Sequence, residues 1–199
     1  MSWDKIPGWT CPQLLRLYNE TAEHYCGYPR ATFVEVGVAY GRSLAYMSVM
    51  ASADVRLIGI DTWQELVGGD NLPPAVFRRM QECGSPYEAC MRCLAAQAPP
   101  VSRYQLYMCT SVVGASLFED ESCDFVFLDD RHEYEFLRDG IRAWLPKIKA
   151  GGILAGHDIN DHFPGVQQAV RELLPNAEIR LNEDGWGGVW IERVKAVYT

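Results

Sequence analysis

Apolar residues follow two rhythms along this chain. Short, nearly unbroken runs occur at Thr32-Phe-Val-Glu-Val36, Val55–Asp61, Tyr104–Met108, Phe125–Leu128 and Ile153–Gly156. Between them, apolar residues recur every three or four positions, as in Leu44, Met47 and Met50, or Tyr134, Leu137, Ile141 and Trp144. An unbroken run predicts a strand buried on both faces, and the wider spacing predicts a helix with one apolar stripe. Alternation of the two predicts an α/β fold: a Rossmann-like, doubly wound, mostly parallel sheet. A further helix is expected over Gln167–Leu174, stopped by Pro175. Pro146 marks the end of the one before it, and Ala150-Gly-Gly152 is read as the turn into the fifth strand. Ala177–Leu181 and Gly188–Glu192, joined by Asn182–Gly187, complete seven strands as a C-terminal antiparallel hairpin. The whole of 1–199 reads as one domain. Residues 1–29 form an N-terminal helical extension, with an amphipathic helix over Cys11–Tyr25. Residues 62–100 form an insertion holding Leu72-Pro-Pro74 and a helix near Glu82–Ala96, either a lid or substrate wall or an extra helical layer.

Composition narrows the class. Hydrophobic residues make up 48% and charged residues 22%, enough for a packed core rather than disorder. The net charge of −8 argues against a nucleic-acid partner, since phosphate binding rests on Lys and Arg. No apolar run reaches membrane-spanning length and no leader pattern opens the chain, so no membrane partner is expected. The seven cysteines are odd in number and scattered, which predicts reduced thiols in a cytoplasmic protein. Cys90 and Cys93, with Cys83 nearby, lack the fourth ligand a structural zinc needs. Oligomeric state leaves no mark in the sequence.

Chemistry concentrates at strand ends. After the first strand come Glu35, Gly37, Gly41 and Ser43, a glycine turn opening a helix, where backbone and helix amides can approach a ligand. Asp61 ends the second strand, where a carboxylate can accept from both hydroxyls of a ribose. The spacing is Glu-x-Gly-x-x-x-Gly. Ala39 and Arg42 stand where a dinucleotide fingerprint needs glycines, so a nicotinamide cofactor fits poorly. A carboxylate beside the turn suits a cationic ligand with an amino group, as S-adenosylmethionine is. Trp63, and Ser111 in the Thr110-Ser111 turn after the third strand, are candidates to hold the adenine. The fourth and fifth strands run into Asp129-Asp-Arg-His132 and His157-Asp158, and these ends face one crevice.

The Glu-x-Gly-x-x-x-Gly turn with Asp61 resembles the first motifs of class I S-adenosylmethionine-dependent methyltransferases. Asp129-Asp-Arg-His132-Glu-Tyr134 and Gly151-Gly-Ile-Leu-Ala-Gly-His-Asp158, with Gly59-Ile-Asp-Thr-Trp63, are similar to a group of small members with D-x-x-H and G-H-D segments. That group is related to the macrolide-sugar and catechol O-methyltransferases. The resemblance spans roughly residues 30 to 195. It implies methyl transfer to an oxygen of a small-molecule acceptor, with Asp129 and Asp158 as ligands of a magnesium ion. His157 departs from the pattern, since those metal enzymes carry an acid there. His132, and next His157, are the candidate bases for the acceptor proton. No N/D-P-P-Y/F segment follows the fourth strand, which favours an oxygen acceptor. Two other readings stay open: a metal-dependent oxygenase or hydrolase built on His132, His157 and a carboxylate, and a non-catalytic cofactor-binding module.

Overall fold

Seven strands form one sheet in the computed structural model, which describes residues 3–64, 84–96, 104–183 and 187–195. They are β1 (Thr32–Val36), β2 (Arg56–Asp61), β3 (Tyr104–Met108), β4 (Cys123–Leu128), β5 (Ile148–Gly156), β6 (Glu178–Leu181) and β7 (Gly188–Arg193). The α-helices among the described residues are α1 (Pro12–His24), α2 (Arg42–Met50), α3 (Pro86–Ala95), α4 (Ser111–Ala115), α5 (Tyr134–Trp144) and α6 (Pro164–Leu173). The spatial order is β3-β2-β1-β4-β5-β7-β6. Pairing is parallel from β3 through β5 and antiparallel at β5–β7 and β7–β6. The expected Rossmann-like sheet with a C-terminal hairpin is the one that forms. From β1 the chain winds first toward β2 and later, through β4, the other way. Open α/β sheets bind ligands at such a switch point.

Two apolar layers explain why the central strands carry no polar alternation. Phe33, Phe125, Phe127, Ile153 and Ala155 face one cluster, with Leu14, Leu17, Tyr18, Leu44 and Met47 from α1 and α2. Their neighbours Val34, Val36, Val126, Leu128 and Leu154 face the other, with Leu137, Ile141, Trp144, Val166 and Val170 from α5 and α6. Because successive side chains leave a strand on opposite faces, every residue of β1 and β4 must be buried, and each is.

The structure departs from the sequence expectation in three places. The Ala150–Gly152 turn lies inside β5 as an irregularity: the β4–β5 register shifts between Cys123 and Phe125, and Gly151 takes φ 84°. Helix α1 is a layer of the core rather than an outlying extension, because Leu14, Leu17 and Tyr18 are buried against the sheet. Helix α4 starts at Ser111 where a turn was expected. Of the 62–100 insertion, residues 65–83 and 97–100 lie outside the described residues, and with them Leu72-Pro-Pro74 and the start of the expected Glu82–Ala96 helix. No helix among the described residues is long and apolar enough to cross a membrane. Cys11, Cys26, Cys90, Cys93, Cys109 and Cys123 are free.

Candidate active site

The turn after β1 is shaped from below and braced from the side. Gly37 has φ 92°, and a Cβ there would sit 2.1 Å from the Asp129 carbonyl oxygen, so only glycine lets β1 leave the sheet beside β4. Gly41, with φ 83°, precedes α2 and faces Cys90 and Leu94 of α3. Asp61 supplies the brace. Its Oδ2 accepts the Ala39 amide and its Oδ1 the Trp63 amide, both at 2.7 Å. Ala39 and Trp63 are both left-handed, at φ 47° and 45°. The Trp63 indole donates to the Ala39 carbonyl at 2.8 Å and its ring packs on Tyr87, so Trp63 pins this loop from inside the core. It is not an adenine slot.

Glu35 also lies elsewhere than expected. It is 3% exposed, with Oε2 accepting from the Tyr18 hydroxyl at 3.0 Å and Oε1 from Ser43 at 2.5 Å. Burial pushes its pKa up to about 8, against the pull of those two hydroxyls. Glu35 and Ser43 therefore tie α2 to α1 behind the turn, and both donors being spent, neither meets a ligand in this arrangement.

The ends of β4 and β5 form a cluster of four titratable groups. His132 Nε2 lies 2.7 Å from Asp158 Oδ2 and 3.9 Å from Asp129 Oδ1. His157 Nδ1 lies 3.4 Å from Asp158 Oδ1 and 3.7 Å from Asp129 Oδ1. Asp158 takes φ 57°, a strained conformation for a non-glycine residue and one that concentrates at functional sites. Burial opposes charge on His132, but the Asp129 and Asp158 carboxylates outweigh it and raise its pKa to about 10. Burial likewise opposes charge on Asp158, yet both imidazoles hold its pKa well below the carboxylate range. Burial raises Asp129, with the imidazoles opposing. His132 in this arrangement holds its proton at neutral pH, which counts against its expected role as a base.

A cleft of about 770 Å³ opens over the switch point, lined among others by Gly37, Ala39, Asp61, Ser111, Asp129 and His132. That volume suits a nucleoside-sized ligand. Asp61 can accept ribose hydroxyls without giving up its amides, since each carboxylate oxygen has a second lone pair. Ser111 reaches the cleft, although its hydroxyl accepts from the Trp144 indole at 3.1 Å. Glu35, Gly41, Ser43, Trp63, His157 and Asp158 do not line it, Asp158 standing behind His132. Three of the lining residues that the sequence did not single out bear on the chemistry. Val112 and Phe136 are 47% and 50% exposed, and Phe136 stands off the stripe formed by Tyr134, Leu137, Ile141 and Trp144. Asp130 is the third: burial pushes its carboxyl up to about 6. The signals were an apolar residue on a polar helix face and a doubled acid at a strand end.

Asp129, His132 and Asp158 bring ligand atoms within 4.8 Å of one another, close enough to share one cation. His132 Nε2 is buried and makes no aligned hydrogen bond, so its contact with Asp158 rests on charge and distance, and a shared cation fits there. An imidazole among the donors suits manganese or zinc better than magnesium, which prefers oxygen. His157 belongs to no such group among the described residues. The two-histidine triad of an oxygenase or hydrolase is therefore not assembled: His157 turns its Nε2 to Cys11 instead, at 3.2 Å.

The sequence profile of a family described as a methyltransferase domain matches residues 34–159. An uncharacterized protein of Sinorhizobium fredii, y4gI, is 25% identical over 145 residues, covering 70% of this chain. The chain spans only 14% of the length of that curated relative. The O-methyltransferase TomG of Streptomyces achromogenes, from tomaymycin synthesis and solved with S-adenosylmethionine, has a similar structure. Its TM-score is 0.64 at 14% identity, over 96% of this chain and 82% of that one. Cofactor-bound Rv0187 from MTB gives 0.63 at 13% identity, over 96% of this chain and 84% of that one. CalS11, a TDP-rhamnose 3'-O-methyltransferase of calicheamicin biosynthesis, gives 0.56 at 21% identity, over 88% and 77%. At these identities the structures share the fold.

Proposed function

The chain belongs to the methyltransferase-domain family, and from that membership we propose that it transfers the methyl group of S-adenosylmethionine to an oxygen of a small molecule. The observation that carries this reading is the cleft at the β1–β4 switch point, which the Asp61-braced loop shares with Asp129 and His132, Asp158 standing next to His132. Asp61 accepts the ribose hydroxyls, Val112 and Phe136 flank the adenine, and the methionine end lies toward Gly37 and Ala39. The oxygen acceptor is supported by the absence of an N/D-P-P-Y/F segment and by the fold shared with TomG and CalS11.

Asp129, His132 and Asp158 would hold a divalent ion. Bound there, such an ion supplies Lewis acidity that lowers the pKa of the acceptor hydroxyl. The chain's own work is to align that oxygen with the sulfonium methyl and to receive its proton. Asp130 suits the second task, because a carboxyl near 6 is ionised at neutral pH yet basic enough to take a proton. With the ion bound, His132 would give up its Nε2 proton and serve as ligand and positioning group. Calorimetry tests the premise: S-adenosylmethionine and its demethylated product should bind at micromolar levels and NAD far more weakly. No heat from either sulfur ligand would overturn it.

A further inference from the structure

We infer that Cys11 is a modification site, an activated thiol open to soft electrophiles and hydroperoxides, built apart from the methyl-transfer cleft. Neither Cys11 nor His157 lines that cleft. Two features converge on the sulfur. As the N-cap of the 13-residue α1, Cys11 accepts the Leu14 amide at 3.4 Å. The partial positive charge of a helix N-terminus favours an anionic sulfur. On its other side His157 Nε2 lies at 3.2 Å. His157 Nδ1 lies on the side of the Asp129 and Asp158 carboxylates, which leaves Nε2 aimed at the sulfur. Burial alone would raise the thiol's pKa, but the His157 hydrogen bond and charge, with help from Asn182 and Leu14, bring it below the ordinary value. Cys90, Cys93 and Cys123 are buried, whereas Cys11 is partly exposed and can be reached.

With a hydroperoxide, the Cys11 sulfur attacks the terminal oxygen. An S–O bond forms and the O–O bond breaks. The sulfur is oxidised to a sulfenic acid, and the leaving oxygen is reduced, takes the thiol's proton, and departs as water or an alcohol. Accessibility and activation predict opposite orders of reaction here, because Cys26 is exposed but follows the C-terminal end of α1 rather than capping a helix N-terminus. The test is a time course of iodoacetamide labelling on the whole chain at pH 6.5, read by peptide mass spectrometry. Cys11 should label at least about tenfold faster than Cys26, because the thiolate is the reacting form. Brief hydrogen peroxide followed by dimedone should place the adduct on Cys11. Cys11→Ser, which keeps an N-cap oxygen, should remove the fast phase. Labelling of Cys11 no faster than Cys26, or a fast phase that survives in Cys11→Ser, would overturn the inference.

Discussion

The Tyr18 hydroxyl donates to Glu35 Oε2 at 3.0 Å, joining α1 to β1 across the inner layer of the core. Ser43 closes the same link from α2, on Oε1. One carboxyl group thus fixes where two helices meet the strand that opens the cleft. It does so at a cost, because a group 3% exposed loses its hydration when ionised.

That cost gives a pH dependence. Glu35 ionises near its ordinary 4.5 when unfolded and near 8 when folded. Between these values the folded chain binds more protons, so this group's contribution makes stability fall as pH rises from about 4.5 to 8, and then level off. Glu35→Gln should match the wild type near pH 4.5 and become more stable toward pH 8, by on the order of a few kcal/mol. Thermal unfolding across that range checks it. A constant difference between the two proteins would show that Glu35 ionises normally.

Asp61 has two duties, and a substitution should expose both. Asp61→Ala releases the Ala39 and Trp63 amides and leaves the ribose unpaired, weakening binding of the demethylated cofactor product by about 1.5–3 kcal/mol. The loop should loosen as well, lowering the melting temperature without ligand. Calorimetry and ligand-free melting separate the two effects. Unchanged affinity beside a lowered melting temperature would restrict Asp61 to the brace.

The sheet was legible because burial on both faces leaves no freedom: Phe125-Val-Phe-Leu128 has to be apolar throughout, and reads so. Asp61, Asp129, His132 and Asp158 were legible because topology delivers strand ends to one rim. What failed was side-chain direction. Glu35 and Trp63 occupy ligand-binding positions in the sequence pattern, yet both turn inward, one to Tyr18 from α1 and one to Ala39 and Tyr87. Those partners lie 17 to 24 residues away, beyond what local spacing reports. His157 likewise meets Cys11 at a separation of 146 residues.

The metal site should declare itself without an acceptor. Chelator-treated protein should bind one manganese per chain in calorimetry, more tightly than magnesium, because His132 offers nitrogen beside two carboxylates. Asp158→Asn should weaken manganese by at least about tenfold. If neither ion binds, His132 serves as the cation between Asp129 and Asp158, and methyl transfer would survive in chelator.

Ser111 separates a structural duty from a ligand contact. Its hydroxyl accepts from the indole of Trp144, a buried side chain. Removing it strands that N–H, which costs about 1–3 kcal/mol, so Ser111→Ala should shift the urea midpoint downward by that equivalent. The backbone of Ser111 keeps its place at the start of α4, since Ala is tolerated there sterically and the helix lacks a side-chain cap in any case. Affinity for the demethylated cofactor product should therefore stay within about twofold, well under the loss expected for a hydrogen bond. A large loss of affinity at unchanged stability would reverse the assignment. The hydroxyl would then turn to the ligand in the bound state, and Trp144 would have to find another acceptor.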